Sequence, residues 1–106
     1  MPNNTPIINN DEIITLLKAV ANIQRFTIIK ALINGEKNVG ELESCITLSQ
    51  SALSQHLARL RRDNIVQTRR DAQQIFYSLN NDNVFSFMKY LETLFAHSQI
   101  SRHNKS

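Results

Sequence analysis

The chain is predicted to fold as a single mainly α domain with one small sheet (α+β), in the order helix, helix, helix, helix, strand, strand, helix. Two observations predict this. Apolar residues recur at helical spacing from Ile13 to Leu60 and again from Val84 to Phe95. Between them, IVQTRR (65–70) and QQIFYSL (73–79) are short, rich in β-branched and aromatic residues, and separated only by Asp71-Ala72, which marks a hairpin. The 106 residues suffice for one modest core, and 42% hydrophobic with 20% charged residues is an ordinary globular composition.

Residues 1–10, MPNNTPIINN, read as a flexible arm, with neither the charged start nor the apolar stretch of a secretory signal. Residues 11–99 form the domain and residues 100–106 a flexible tail. The first helix is expected from about Asp11 to Ala21, with acids in its first turn and Ile13, Ile14, Leu17 and Val20 on one face. Asn22 can cap a second helix bearing Ile23, Phe26, Ile29 and Ile33, and Gly35 is a credible C′ residue for it. After the polar turn from Gly35 to Asn38 comes a short third helix, Val39 to Cys45. The connection Ile46-Thr47-Leu48 then leads to Ser49, a cap for a fourth helix from Gln50 to about Asp63, and Asn64 can take the left-handed conformation at its end. The closing helix starts near Asn81 and carries Val84, Phe87, Met88, Leu91, Leu94 and Phe95. A short helix and tight turn before a longer helix, followed by an arginine-bearing hairpin, make a winged helix-turn-helix.

The fourth helix suggests what the fold is for. At 3.6 residues per turn, Leu53, Leu57 and Leu60 share a narrow stripe that must face the core. Ser51, Ser54, Gln55, Ala58 and Arg62 fall opposite, flanked by Gln50 and Arg59. Small polar residues at the N-terminal end permit close approach to a DNA groove. Gln50 and Gln55 can donate and accept together at a base edge, notably adenine. Arg59 and Arg62 then lie where phosphates run. A merely solvated face usually carries Glu and Lys at pairing distance, whereas Gln50 to Arg62 contains no acid.

The net charge of +3 says little by itself, but five arginines (Arg59, Arg61, Arg62, Arg69, Arg70) fall between Ser49 and Leu79 against Asp63 and Asp71. Guanidinium is the group best shaped for bidentate phosphate or guanine contact. In the hairpin, Ile65, Ile75, Tyr77 and Leu79 are expected to face the core, and Arg69, Arg70, Gln73 and Gln74 to sit at the wing tip on backbone or minor groove. The alternative is a protein-interaction module whose winged helix no longer reads DNA. Such modules usually lose basic residues from these elements, which are retained here. The first and last helices carry wider apolar stripes than one small core covers, which points to a homodimer.

The segment LSQSALSQHLARLRRDNIVQTRRDAQQIFYSL (48–79), with VGEL (39–42) upstream, closely resembles the ArsR/SmtB family of dimeric winged-helix regulators, and most of all its HlyU/BigR-type branch. The similarity extends from about Leu16 to Phe95. The resemblance implies homodimers through the first and last helices, with fourth helices reading an inverted repeat whose half-sites lie one DNA turn, roughly 10 bp, apart. It implies repression, or displacement of another repressor, at one or a few promoters. Family base contacts fall on Gln50, Ser51, Ser54 and Gln55, the residues that the helical wheel selects.

Members of the family often sense metals or oxidants, and this chain departs from those sites. The third-helix cysteine positions of metal-sensing branches include Asn38 and Gly40, neither a good soft-metal ligand. The closing-helix positions that elsewhere hold Asp, His, His and Glu are Asn81, Asn83, Leu94 and His97, so one of the four is a ligand type; His97 and His103 read as solvated. The two cysteines of the redox-sensing branch correspond to Lys30 and Ala96. No metal or other cofactor is therefore expected.

Cys45 is the single cysteine, which excludes an intrachain disulfide and fits a reducing, cytoplasmic compartment. It is a candidate redox switch just before the reading helix, although a helix C-terminus raises a thiol pKa, and a small packing residue is the plainer reading. A Cys45–His56 dyad exists on paper. With two glycines, no phosphate-cradling loop and no clustered carboxylates, however, an enzyme is not expected. No apolar run approaches the roughly 20 residues of a membrane span.

Overall fold

The computed structural model describes the backbone of residues 9–105 and the side chains of residues 9–96. The expected arm, apart from its last two residues, lies outside the described residues. Helix α1 (Asn10–Val20) is capped by Asn9, whose Oδ1 accepts from the Glu12 amide at 3.1 Å. Helix α2 (Ile23–Ala31) is capped in the same way by Asn22, which accepts from Arg25 N at 3.0 Å. The α2 terminus differs from expectation. Leu32, three residues before Gly35, is the cap, and its amide bonds back to the Ile28 and Ile29 carbonyls, tightening the last turn. Gly35 is therefore not the C′ residue. It serves the reversal that follows, at φ +133°, a conformation that favours glycine.

The polar turn that follows holds an extra strand. β1 (Lys37–Asn38) pairs antiparallel with the second hairpin strand, giving a three-stranded sheet where two strands were expected. Two residues cannot carry an alternating pattern, so β1 leaves no periodic trace in the sequence. Asn38 also caps α3 (Val39–Cys45) in a reciprocal box: its Oδ1 accepts from Glu41 N at 2.8 Å, and its amide donates to Glu41 Oε1 at 2.9 Å.

Helix α4 (Gln50–Arg62) starts at Ser49, whose Oγ accepts from Ala52 N at 3.2 Å. Its end is a Schellman turn. Asn64 is left-handed at φ 60°, Ile65 N donates to Leu60 O at 2.9 Å, and Asn64 N donates to Arg61 O at 3.1 Å. The hairpin strands β2 (Val66–Asp71) and β3 (Gln74–Leu79) pair from Val66↔Leu79 to Asp71↔Gln74, so the turn is Ala72-Gln73, one residue later than expected. Sheet order is β1-β3-β2. Helix α5 (Asp82–Lys105) is capped by Asn81, which accepts from Val84 N at 3.0 Å. With no Gly or Pro after Asp82, its backbone continues through the stretch expected to be a tail.

One apolar cluster joins these elements. Ile28 and Ile29 of α2, Leu42 of α3, Leu53, Leu57 and Leu60 of α4, Val66 of β2 and Met88 of α5 are all essentially inaccessible. Each such side chain contributes about 1.5–3 kcal/mol by leaving water. Ile65 is buried as expected, and Tyr77 and Leu79 pack on the cluster; Ile75, nearer the tip, is only partly buried. Among the described residues, no helix is long and apolar enough to cross a membrane.

Candidate nucleic-acid interface

The leucine stripe of α4 fixes the helix's rotation. With Leu53, Leu57 and Leu60 inside, Gln50, Ser51, Ser54, Gln55, Ala58, Arg59 and Arg62 are all exposed. Among the described residues, no intrachain side-chain hydrogen bond engages Gln50, Ser54 or Gln55. Their donors and acceptors are thus open to an outside partner. Ser51 Oγ lies 3.5 Å from Ser49 Oγ at the cap. The N-terminal half of this face is small and neutral, and the C-terminal half is basic.

The three arginines of the last turn are not equivalent. Arg59 Nε donates to Asp63 Oδ2 at 3.1 Å, and Arg62 Nε stands 4.0 Å from the other oxygen of the same carboxylate. Arg61, which is not among the residues expected on the outer face, lines a groove of about 450 Å³ with Ser54, Ala58, Arg62 and Tyr77 between α4 and the hairpin. Its spacing, seven after Ser54 and three after Ala58, is the signal that could have revealed it.

Strand alternation divides the wing into two faces. Val66, Thr68 and Arg70 point one way, opposite Leu79, Tyr77 and Ile75. Since Tyr77 lines the groove, Arg70 leaves the hairpin on the α4 side. Gln67, Arg69 and Asp71 point the other way. Arg69 is not at the tip: it stands opposite Phe76, its guanidinium carbon 4.7 Å from the ring centre. A carboxylate from before β1 grips it, with Arg69 Nε donating to Glu36 Oε1 at 3.0 Å and Nη2 donating to Oε2 at 2.6 Å. This bond holds the Glu36 carboxyl below its ordinary range and raises the Arg69 guanidinium. Gln74 is likewise engaged, accepting at Oε1 from Asn38 Nδ2 at 2.8 Å. Gln73 lies at the turn and is exposed. Of the four expected tip residues, Arg70 and Gln73 present themselves outward, while Arg69 and Gln74 are tied to the domain.

His56, on the flank of α4, is partly buried. Desolvation, then the positive charge of Arg25, lowers its pKa below the usual imidazole value. Arg25 Nη2 donates to Lys18 O at 3.1 Å, while its Nε is buried without a partner among the described residues. Cys45 ends α3 and is exposed, so it does not fill a packing site. Among the described residues, no group of three or more His, Cys, Asp or Glu side chains is arranged to hold a metal ion. The side chain of His97 lies outside the described residues.

Comparison with known proteins gives this surface a context. Residues 23–68 match the family model described as bacterial regulatory protein, arsR family. The chain is 48% identical over 88 residues to the transcriptional activator HlyU of Vibrio cholerae, covering 83% of this chain and 82% of that one. It is 40% identical over 86 residues to the biofilm growth-associated repressor of Xylella fastidiosa, covering 81% and 75%. Among solved structures, HlyU from Vibrio cholerae superposes with a TM-score of 0.78 over 83% of this chain and 96% of that one. The transcriptional repressor BigR from Xylella fastidiosa, 40% identical, superposes with a TM-score of 0.75 over 81% and 88%.

Proposed function

This chain belongs to the ArsR family of bacterial regulatory proteins, and from that premise we propose that it is a homodimeric transcriptional regulator that reads an inverted-repeat operator in duplex DNA. The observation that carries the reading is the outer face of α4. Gln50, Ser51, Ser54 and Gln55 stand exposed and free of acids at the end of the helix that enters a major groove. Glutamine presents a donor and an acceptor that match adenine N7 and N6, and serine fits close quarters. Arg59, Arg61 and Arg62 at the other end, with Arg70 and Gln73 of the wing, face the phosphates on either side.

The similar proteins include one named an activator and one named a repressor, so DNA occupancy, rather than its sign, is what carries over. Homodimerisation is supported by the apolar side chains that α1 and α5 leave in solvent. The work is that of a binding protein in the cytoplasm, where the DNA lies, and needs no catalytic group. Exposure keeps Cys45 open to oxidants. Operator affinity before and after peroxide, with Cys45→Ser as control, tests whether that thiol modulates binding.

Selection of duplexes from a random pool by the purified chain tests the central reading. Enrichment of an inverted repeat with half-sites roughly 10 bp apart is expected. Gln55→Ala should then lower affinity for the selected duplex by about 1–3 kcal/mol per contacted base while leaving binding to unrelated duplex unchanged. A pool that stays random through successive rounds would overturn the reading.

A further inference from the structure

The two adjacent wing arginines have opposite surroundings, although the sequence presents them as a pair. Arg70 carries no intrachain salt bridge among the described residues and lies on the α4 side of the sheet. Arg69 lies on the far side, held along the Nε–Nη2 edge of its guanidinium by Glu36 and stacked on Phe76. Two parallel N–H···O bonds fix direction as well as distance, which a single point-charge contact does not. The same short segment supplies a second tether, Asn38 Nδ2 donating to Gln74 Oε1, from a residue whose Oδ1 caps α3. Asn38, Phe76 and Arg69 stand in register across the three strands, so both tethers act on one face of the sheet. The hairpin is thus tied to the start of the helix-turn-helix at two points.

Resting on the DNA-binding reading above, we infer that Glu36 is a positioning residue for the wing: it holds Arg69 as a strut against the start of β1, sets the hairpin's angle to α4, and leaves Arg70 as the wing cation that meets phosphate. Glu36 touches no DNA itself. The lowered Glu36 pKa fits a carboxylate that remains ionised in this contact at neutral pH. Asp71, whose Oδ2 stands 3.9 Å from Arg69 Nη1, adds charge on the same side and disfavours a phosphate there.

The test has a DNA-free arm and a DNA arm, both on the full chain. In amide hydrogen exchange without DNA, Glu36→Gln should speed exchange across residues 66–79 and leave residues 50–62 unchanged; equal exchange in the hairpin would overturn the proposal. In the DNA arm, affinity for the duplex selected above is followed against salt. Arg70→Gln should reduce the slope of log affinity on log salt by about 0.9, the value for one released phosphate contact. Glu36→Gln and Arg69→Gln should leave that slope unchanged, each weakening binding by about two- to five-fold, the range of an exposed ion pair. The double variant should be no weaker than either single one. Tighter binding and a steeper slope in Glu36→Gln would overturn the proposal, because Glu36 would then be restraining a phosphate-seeking Arg69. If the unaltered chain shows no salt-dependent affinity for duplex DNA, both this inference and the reading beneath it fall.

Discussion

His56 stands on α4 within electrostatic reach of Arg25 on α2. It is partly buried beside Arg25, and desolvation followed by that cation's repulsion lowers its pKa from the ordinary 6.5. The folded chain therefore prefers the neutral imidazole more strongly than the unfolded chain does. Above about pH 6.5 neither state binds the proton, and the full stability is present. As pH falls below that value the unfolded chain is protonated first, so stability declines until the folded-state pKa is passed. Glu36 acts in a separate window. Its carboxyl is lowered from 4.5, so the contribution of its contact is present above that pH and is lost as pH falls further. Urea midpoints measured from about pH 5 to 7.5 should fall towards the acid end for the native chain and fall less for His56→Gln. Equal pH dependence in the two would refute the assignment to His56.

At the scale of elements, α4 was legible because everything that specifies it is local. Its cap, its leucine stripe and its left-handed stop at Asn64 lie within sixteen consecutive residues, Ser49 to Asn64. Ser49→Ala should cost about 1 kcal/mol in denaturant unfolding, since it strips the Ala52 amide of its partner and leaves the core intact. Asn38→Ala should affect two elements: it removes the α3 cap and the Gln74 tether together, so hairpin protection in hydrogen exchange should fall along with global stability. What could not be read was non-local. β1 exists because β3 offers an edge, and two residues have no period of their own. Arg69 looked like a tip residue because its partner Glu36 lies 33 positions earlier, on a segment that read as a polar turn. The shift of the hairpin turn to Ala72-Gln73 has the same origin: pairing register is set across strands and not along one. The exposed face of α4 was thus legible from periodicity, while the different surroundings of Arg69 and Arg70 required the fold.

At the scale of the whole molecule, the single chain leaves an apolar surface that its own core cannot cover. Ile13, Ile14 and Leu17 of α1 are 44–49% exposed, and Phe85, Tyr90, Leu94 and Phe95 of α5 are 42–62% exposed. A cleft of about 530 Å³ runs between the start of α1, the end of α4 and the start of α5. Isolated exposed hydrophobics are ordinary, but seven large ones on two helices are more apolar side chain than one small domain needs to leave in solvent. A twofold arrangement through these helices buries the same side chains on both partners and repeats α4 about one axis, as the proposed inverted repeat requires. Leu94→Glu puts a carboxylate into that contact in both protomers at once, where it must be desolvated without a partner. The site is open in the single chain, so the substitution should spare the fold. Sedimentation should then show a monomer with unchanged helical content. Affinity for the two-half-site operator should drop on the order of 10²-fold or more, because the second half-site no longer benefits from linkage to the first. Affinity for a lone half-site should stay the same. A Leu94→Glu chain that remains dimeric would place the interface elsewhere than on this face of α5.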